Sequence, residues 1–532
     1  MDGWSKTNNY MQTMKLTFRF YVLVFCRAIC AASLVSAAAA ADTKSEAGDQ
    51  HAAIGVVESK EIYHAAAPAA QWFPQAGFGL FLHWGIAAVH DGDIAVGDLS
   101  WAMQPKGLMN KRIDDPAERE RIIRESDWDL NGTPHHPTPN EYWALAKDFN
   151  PQNYNPDKWC AAAKAAGFTY VVLTTRHHDG FALWPSAYGD FSTKDYMNGR
   201  DLVKPFVEAC RKYGLKVGLY YSPPNWHFDR DSMDFLYWRA RQKNPEFPKL
   251  DTDLKPRTKE LTPAERQTHN AEVDAMVKGQ VEELLTRYGK IDYLWFDGGP
   301  SSENRQCITR ERIQELQPGI VIGPRLHGRG DLITFEGNTV PDATMKKAAT
   351  LGGWAEWCLT WTSSGWSYHK GRPLAADGWV LSRLASARSL GINMLLDLGP
   401  TEQGELDAEA CSHLANVAAW MKVNGGAVHE AKPLPAGEKA SVPATAWGQM
   451  RYLFACPKYA VKDGDRVAFD KVWLPSQDET ISLTGVGPVK SVILLGDSKE
   501  VAHEYTGKVL TIHLPAARRT KLPDVVAVKL AP

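Results

Sequence analysis

The chain has 532 residues, 44% hydrophobic and 23% charged, the proportions of a soluble globular protein, which exclude a disordered, collagen-like or polytopic membrane chain. At roughly 150 residues per domain there is room for several cores. A formal charge of -2 supplies no clustered basic surface for phosphate backbones and sets nucleic acid aside.

Residues 1–41 read as an export signal peptide. Lys15 and Arg19 precede the apolar run Phe20 to Cys26, and small residues follow through Ala41, the charge, apolar and small-residue order of a secretory signal. Arg27 breaks the run before it reaches the roughly 18 residues of a membrane span. Cleavage near Ala41 is expected to leave a periplasmic or secreted protein with no membrane contact. Outside the leader lie Cys160, Cys210, Cys307, Cys358, Cys411 and Cys456, with no CxxC pair. Cys160, Cys210 and Cys411 fall in amphipathic helical patterns, where a free cysteine acts as a small buried hydrophobe.

From about Gly77 to Gly399, short apolar runs alternate with amphipathic ones. Strands are expected over Gly79 to His83, Tyr170 to Thr175, Lys216 to Tyr221, Tyr293 to Asp297, Ile320 to Gly323 and Asn393 to Leu398. Helices are expected over Asp157 to Ala166, Asp201 to Tyr213, Ala271 to Tyr288, Asn304 to Gln317 and Trp379 to Leu390. Gly167, Gly214, Gly289 and Gly391 stand where left-handed helix ends belong. This alternation predicts an α/β fold, a (β/α)8-like (TIM) barrel over 42–430. Charged, proline-rich stretches at Met103 to Asn140 and His227 to Asn270 read as insertions in loops after strands, placed to shape the barrel mouth. Beyond Pro433 and Pro435, short alternating runs at Gln449 to Phe454, Thr480 to Leu483, Val489 to Leu495, Val509 to His513 and Val525 to Leu530 predict a C-terminal antiparallel β-sandwich over 431–532.

Polar residues close the expected strands. His83 and Trp84 end the first, Arg176, His177 and His178 follow the second, Tyr220 and Tyr221 end the third, and Asp297 ends a fourth before Gly298 and Gly299. A barrel gathers such ends on one face, so residues distant in sequence line one pocket. Asp297 is the sharpest candidate; its ordinary alternative is to cap the next helix. Glycoside chemistry asks for a second carboxylate to protonate the leaving oxygen, for which Glu336 leads over Glu356 and Glu303. The histidines suit hydrogen bonds to hydroxyl groups better than a metal, and no cofactor is called for. Trp at 19 outnumbers Phe and Tyr at 18 each, and Trp84, Trp101, Trp184, Trp226 and Trp295 lie at strand ends, where flat faces suit sugar rings.

These residues resemble the α-L-fucosidases of glycoside hydrolase family 29. The likeness runs from about Trp72 to Pro433 through FGLFLHWG, EYWALAKDFNP, TRHHDGFALW, GRDLVKPFVEACRKYGLKVGLYYSPPNW, YGKIDYLWFDGG and INMLLDLGPTEQG. It implies a barrel with a β-sandwich and retaining hydrolysis of terminal α-L-fucose from a fucosylated oligosaccharide or glycoconjugate. By motif it implies Asp297 as nucleophile and Glu336, in the run Asp331 to Glu336, as acid/base. It further implies sugar contacts at His83, Trp84, His177, His178, Tyr221 and Arg325, and at Asp98 with Trp101, where the family more usually has glutamate; Trp295 joins them as a strand-end tryptophan. That shorter acid leaves open a glycosidase for a related sugar; a catalytically inactive glycan-binding protein is the reading from another class. The state of assembly, homo-oligomer included, is not fixed by the sequence.

Overall fold

The computed structural model describes residues 67–89, 98–128, 137–297, 307–323, 325–326, 330–338, 342–349, 353–362, 365–460 and 470–532. The leader and Glu303 lie outside the described residues. No helix among the described residues is long and apolar enough to cross a membrane.

Eight parallel strands form one sheet: β1 (Phe78–Leu82), β2 (Tyr170–Arg176), β3 (Lys216–Tyr221), β4 (Tyr293–Phe296), β5 (Val321–Ile322), β6 (Leu332–Glu336), β7 (Trp354–Thr360) and β8 (Asn393–Asp397). Their order is β5-β4-β3-β2-β1-β8-β7-β6, so the sheet curls until β5 and β6 face each other across a seam. Asp331 bridges that seam. Its N–H donates to the Ile322 carbonyl at 2.8 Å and its Oδ2 accepts from the Ile322 N–H at 2.8 Å. A fully buried carboxylate here does what a ladder pair would do elsewhere, and Arg310 supplies the countercharge at 2.5 Å.

The helices α1 (Pro156–Ala165), α2 (Val203–Lys212), α3 (Pro263–Arg287), α4 (Arg310–Leu316), α5 (Asp342–Ala349), α6 (Asp377–Ser389) and α7 (Ala408–Asn424) follow the strands, and among the described residues no helix lies between β5 and β6. Gly167, Gly214, Gly289 and Gly391 have φ of 84°, 65°, 69° and 75°, the left-handed helix ends expected. α3 starts eight residues before the expected Ala271, at a capping box in which Thr262 accepts from the Glu265 N–H and Glu265 accepts from the Thr262 N–H. β6 and β7 were not among the expected strands.

Inward side chains follow the strand period of two. Phe81, Tyr170, Val172, Tyr220, Tyr293, Trp295, Val321, Leu332 and Leu395 fill the barrel as one apolar cluster. Glycine is required at Gly79, where a Cβ would lie 2.2 Å from the Tyr170 ring, so its absence lets that ring cross the barrel.

The two insertions fold against each other: Trp128 Nε1 donates to the Leu254 carbonyl at 2.8 Å, and Asn244 Nδ2 to that of Lys111 at 2.8 Å. Beyond Lys432 the strands are antiparallel. Leu453, Val492 and Val526 of a six-stranded sheet meet Ile481, Leu510 and Ile512 of a four-stranded one in a shared core, the expected sandwich. Among the cysteines, Cys160 and Cys210 are buried with their sulfurs 3.6 Å apart, whereas Cys411, expected inside, is exposed on α7.

Candidate active site

Strand parity decides which side chains reach the pocket. On β4, Tyr293 and Trp295 point inward, and so does Asp297 one step beyond the strand, where its N–H donates to the Tyr221 carbonyl at 2.9 Å. On β6 the parity of Leu332 and Thr334 puts Glu336 on the same side at the strand's carboxyl end. Arg325, from the loop after β5, joins the two acids. Its Nη1 donates to Asp297 Oδ1 and its Nη2 to Glu336 Oε2, while its guanidinium lies 4.9 Å from the centre of the Trp295 ring. One cation thus holds both carboxylates of the predicted pair, at 7% residue exposure for Asp297 and 8% for Arg325.

The second oxygen of Asp297 accepts from the Tyr220 hydroxyl, and His178 Nε2 lies 3.7 Å from it. Burial by itself raises a carboxyl pKa. Here Arg325, His178, His177 and the Tyr220 hydroxyl outweigh burial and hold Asp297 well below the usual carboxylate range. The same attraction, against burial, raises the guanidinium of Arg325 further.

The histidines are oriented from behind. Nδ1 of His83 lies 2.6 Å from Asp397 Oδ1, Nδ1 of His177 lies 3.0 Å from the Ser100 hydroxyl, and Nδ1 of His178 lies 2.5 Å from the Ser222 hydroxyl. A carboxylate acceptor at Nδ1 of His83 leaves its Nε2 for a ligand, and the serine hydroxyls, which donate or accept, orient the other two rings. Burial pushes the Asp397 carboxyl up to about 6, with His83 pulling the other way. His177 stacks on Tyr220 with ring centres 5.5 Å apart and planes at 3°, and Trp101 meets His178 edge to face at 5.7 Å. Trp101 also touches Tyr237 of the second insertion at 6.0 Å, which brings that insertion to the mouth.

His177, His178 and Asp297 hold ligand atoms within 4.8 Å of one another, a spacing that a small cation can use. Arg325 and Tyr220 already occupy the two oxygens of Asp297, and a guanidinium on the carboxylate opposes a second positive charge there.

Three expected sugar contacts fall elsewhere. Tyr221 faces the helices, its hydroxyl donating to Gln280 Oε1 at 3.1 Å with Arg176 over its ring at 4.3 Å; its neighbour Tyr220 takes the pocket position. Trp84 points outward by the same alternation, stacked on Tyr154 at 4.9 Å with its Nε1 donating to the Thr401 carbonyl at 2.9 Å. Asp98 is spent on the loop after β7: it accepts from the N–H of Trp366, from the N–H and hydroxyl of Ser367 at 3.1 and 2.8 Å, and lies 3.3 Å from His369 Nε2. Despite burial, those donors hold its carboxyl below the ordinary range. The loop so held carries Trp366, whose ring lies 4.9 Å from that of His83. Glu356 lies within the barrel among the inward tyrosines, fully buried under Trp295, and not at a strand's carboxyl end.

The sequence marks Tyr220 only as part of a strand end, and it singles out neither Trp366 nor Asp397. Tyr220 and Asp397 were accessible to it through parity alone, since each shares the register of an inward neighbour, Gly218 and Leu395. Trp366 had no signal, because its place depends on the Asp98 contact across the pocket.

The profile of the family described as Alpha-L-fucosidase matches residues 47–426. The chain is 27% identical over 490 residues to the tissue α-L-fucosidase of Bos taurus, covering 86% of this chain and 87% of the bovine one. It is also 27% identical to an α-L-fucosidase of Branchiostoma floridae, over 86% of this chain and 91% of that one. Among solved structures, α-L-fucosidase isoenzyme 1 from Paenibacillus thiaminolyticus aligns with a TM-score of 0.62 at 27% identity, over 87% of this chain and 99% of that one. The matched span runs through all eight strands and every residue of the cluster around Arg325, and the chain belongs to the α-L-fucosidase family, glycoside hydrolase family 29.

Proposed function

We propose that the protein is an exo-acting, retaining α-L-fucosidase that removes terminal α-L-fucose from glycans by double displacement, with Asp297 as nucleophile and Glu336 as acid/base. The observation that carries this reading is that the two terminal nitrogens of Arg325 hold the two carboxylates, from the carboxyl ends of β4 and β6. A retaining glycosidase needs one carboxylate to attack the anomeric carbon while the other reaches the leaving oxygen, so the two stand close together. Groups sharing one guanidinium meet that requirement.

Asp297 attacks the anomeric carbon as Glu336 gives its proton to the departing oxygen. Glu336 then takes a proton from water, whose oxygen attacks the same carbon and frees fucose and the Asp297 carboxylate. The low pKa direction of Asp297 supports its part, since a nucleophile must be ionised. His83, His177, His178, Trp101, Trp295 and Trp366 supply imidazole nitrogens for hydroxyls and indole faces for the sugar ring.

Release of nitrophenol from an aryl α-L-fucoside by the purified protein, beside Asp297→Ala, tests the reading. Turnover that vanishes in the variant is expected; turnover that persists removes Asp297 from the role. A folded wild type inert on the fucoside but active on another aryl glycoside moves the assignment to a related sugar, a reading that the commitment of Asp98 to the 365–369 loop favours. Export is part of the proposal, supported by the leader pattern in residues 1–41. A mature N-terminus close to Asp42 is expected, and one at Met1 overturns it.

A further inference from the structure

Glu356 is a buried carboxyl that the proposed reaction does not use. It sits in the middle of β7 at 0% exposure and accepts three hydrogen bonds, from Tyr170 Oη at 2.7 Å, Tyr293 Oη at 3.0 Å and Trp295 Nε1 at 2.9 Å. The donors come from β2 and β4, and among the described residues no cation pairs with it. A carboxyl in such a place is costly unless its hydrogen bonds are complete. What it holds is the indole on which the site rests: the Trp295 ring stacks on Tyr220, centres 5.4 Å apart and planes at 18°, and the Arg325 guanidinium lies over it at 4.9 Å. Tyr220 and Arg325 are the two groups that donate to the two oxygens of Asp297.

We propose that Glu356 is a positioning residue for the reaction at Asp297: by fixing the Trp295 indole through its N–H, it sets the places of Tyr220 and Arg325 and so the aim and charge of the nucleophile. The inference rests on the reading of Asp297 as nucleophile. Of the three donors to Glu356, Trp295 is the one whose ring contacts Tyr220 and Arg325.

The test compares wild type, Glu356→Gln, Trp295→Phe and the double variant on an aryl α-L-fucoside across pH. The titratable and charged groups facing Asp297 are Arg325, His177, His178, Tyr220, the Cys358 thiol of β7 and, across the guanidinium, Glu336, and all are kept in every variant. Each single variant is expected to lower kcat/KM ten- to a hundredfold and to move the acidic limb of the profile upward, because loosened donors hold Asp297 less firmly in its ionised form. The double variant is expected to be no worse than the poorer single one, because the N–H that Glu356 holds is already gone. A role in folding alone would lower the active fraction and leave the limb where it is; that result, or losses that multiply, overturns the proposal. If Glu356→Gln fails to fold, Trp295→Phe still reports the limb with Glu356 in place. Full activity of Asp297→Ala would sink the nucleophile assignment instead, and an unmoved limb beside a dead Asp297→Ala sinks only the positioning role.

Discussion

The Tyr220 hydroxyl donates to the carboxylate of Asp297, while Tyr221, one residue on, turns its hydroxyl to Gln280 behind the barrel wall. The pair makes a controlled experiment. A hydrogen bond to a charged group contributes about 1.5–3 kcal/mol, so Tyr220→Phe should cut kcat/KM by roughly tenfold or more. Tyr220 is one of the groups that keep the Asp297 carboxyl low against burial, so its loss raises that carboxyl and moves the acidic limb of the pH profile upward. Tyr221→Phe should leave both unchanged and lower the melting temperature, since its partners Gln280 and Arg176 are buried. Equal kinetic effects in the two variants would contradict the inward placement of Tyr220.

The roles of the two acids on Arg325 separate by the anomer that an added nucleophile produces. Asp297→Gly should lose activity by about 10³ or more, and azide should then attack the free face of the anomeric carbon and give the inverted fucosyl azide. Glu336→Ala should lose roughly 10²–10⁴ on glycans, less on aryl fucosides whose leaving group needs no proton. Azide there should react with the fucosyl intermediate and give the retained anomer. Product NMR decides, and exchanged anomers between the two variants would exchange the roles.

These contrasts show what the sequence carried and what it withheld. The coming together of His83, His177, His178 and Asp297 was legible because each stands at the end of an apolar run, and parallel strands put such ends on one face; Glu336 was legible from the need for a second acid and from its motif, since β6 was not expected as a strand. Which of two neighbours faces inward was legible only in part: His83 inward forces Trp84 outward, and Trp295 with Asp297 inward forces Phe296 into the wall. β7 was hidden by Glu356, since a carboxyl inside a strand breaks the continuous apolar signal of a buried one. The hold of Asp98 on Trp366 joins residues 268 apart in sequence, and nothing local announces it.

That hold carries its own consequence. Asp98→Ala should free the loop at 365–369 and with it Trp366 beside His83, raising KM by about tenfold with a smaller change in kcat, as expected when a binding contact is lost. Hydrogen exchange in the segment from Gly365 to Arg372 should rise in the same variant. A raised KM with unchanged exchange would return Asp98 to a direct contact with the sugar.

Glu356 should also leave a mark on stability that runs opposite to that of a salt-bridged acid. Burial pushes its carboxyl from 4.5 up to about 7, with the donors Tyr170, Trp295 and Tyr293 pulling the other way. The folded chain therefore binds this proton more tightly than the unfolded chain does. Its contribution is present in full below about pH 4.5 and is lost as pH rises through about 7. Glutamine at this position has no proton to lose. The melting temperature of the wild type relative to Glu356→Gln should thus fall between pH 4.5 and 7 and stay level above that range. A difference that stays level across this range and instead rises with pH below about 4.5 would mean that the three donors outweigh burial, leaving the barrel a carboxylate that prefers its charge.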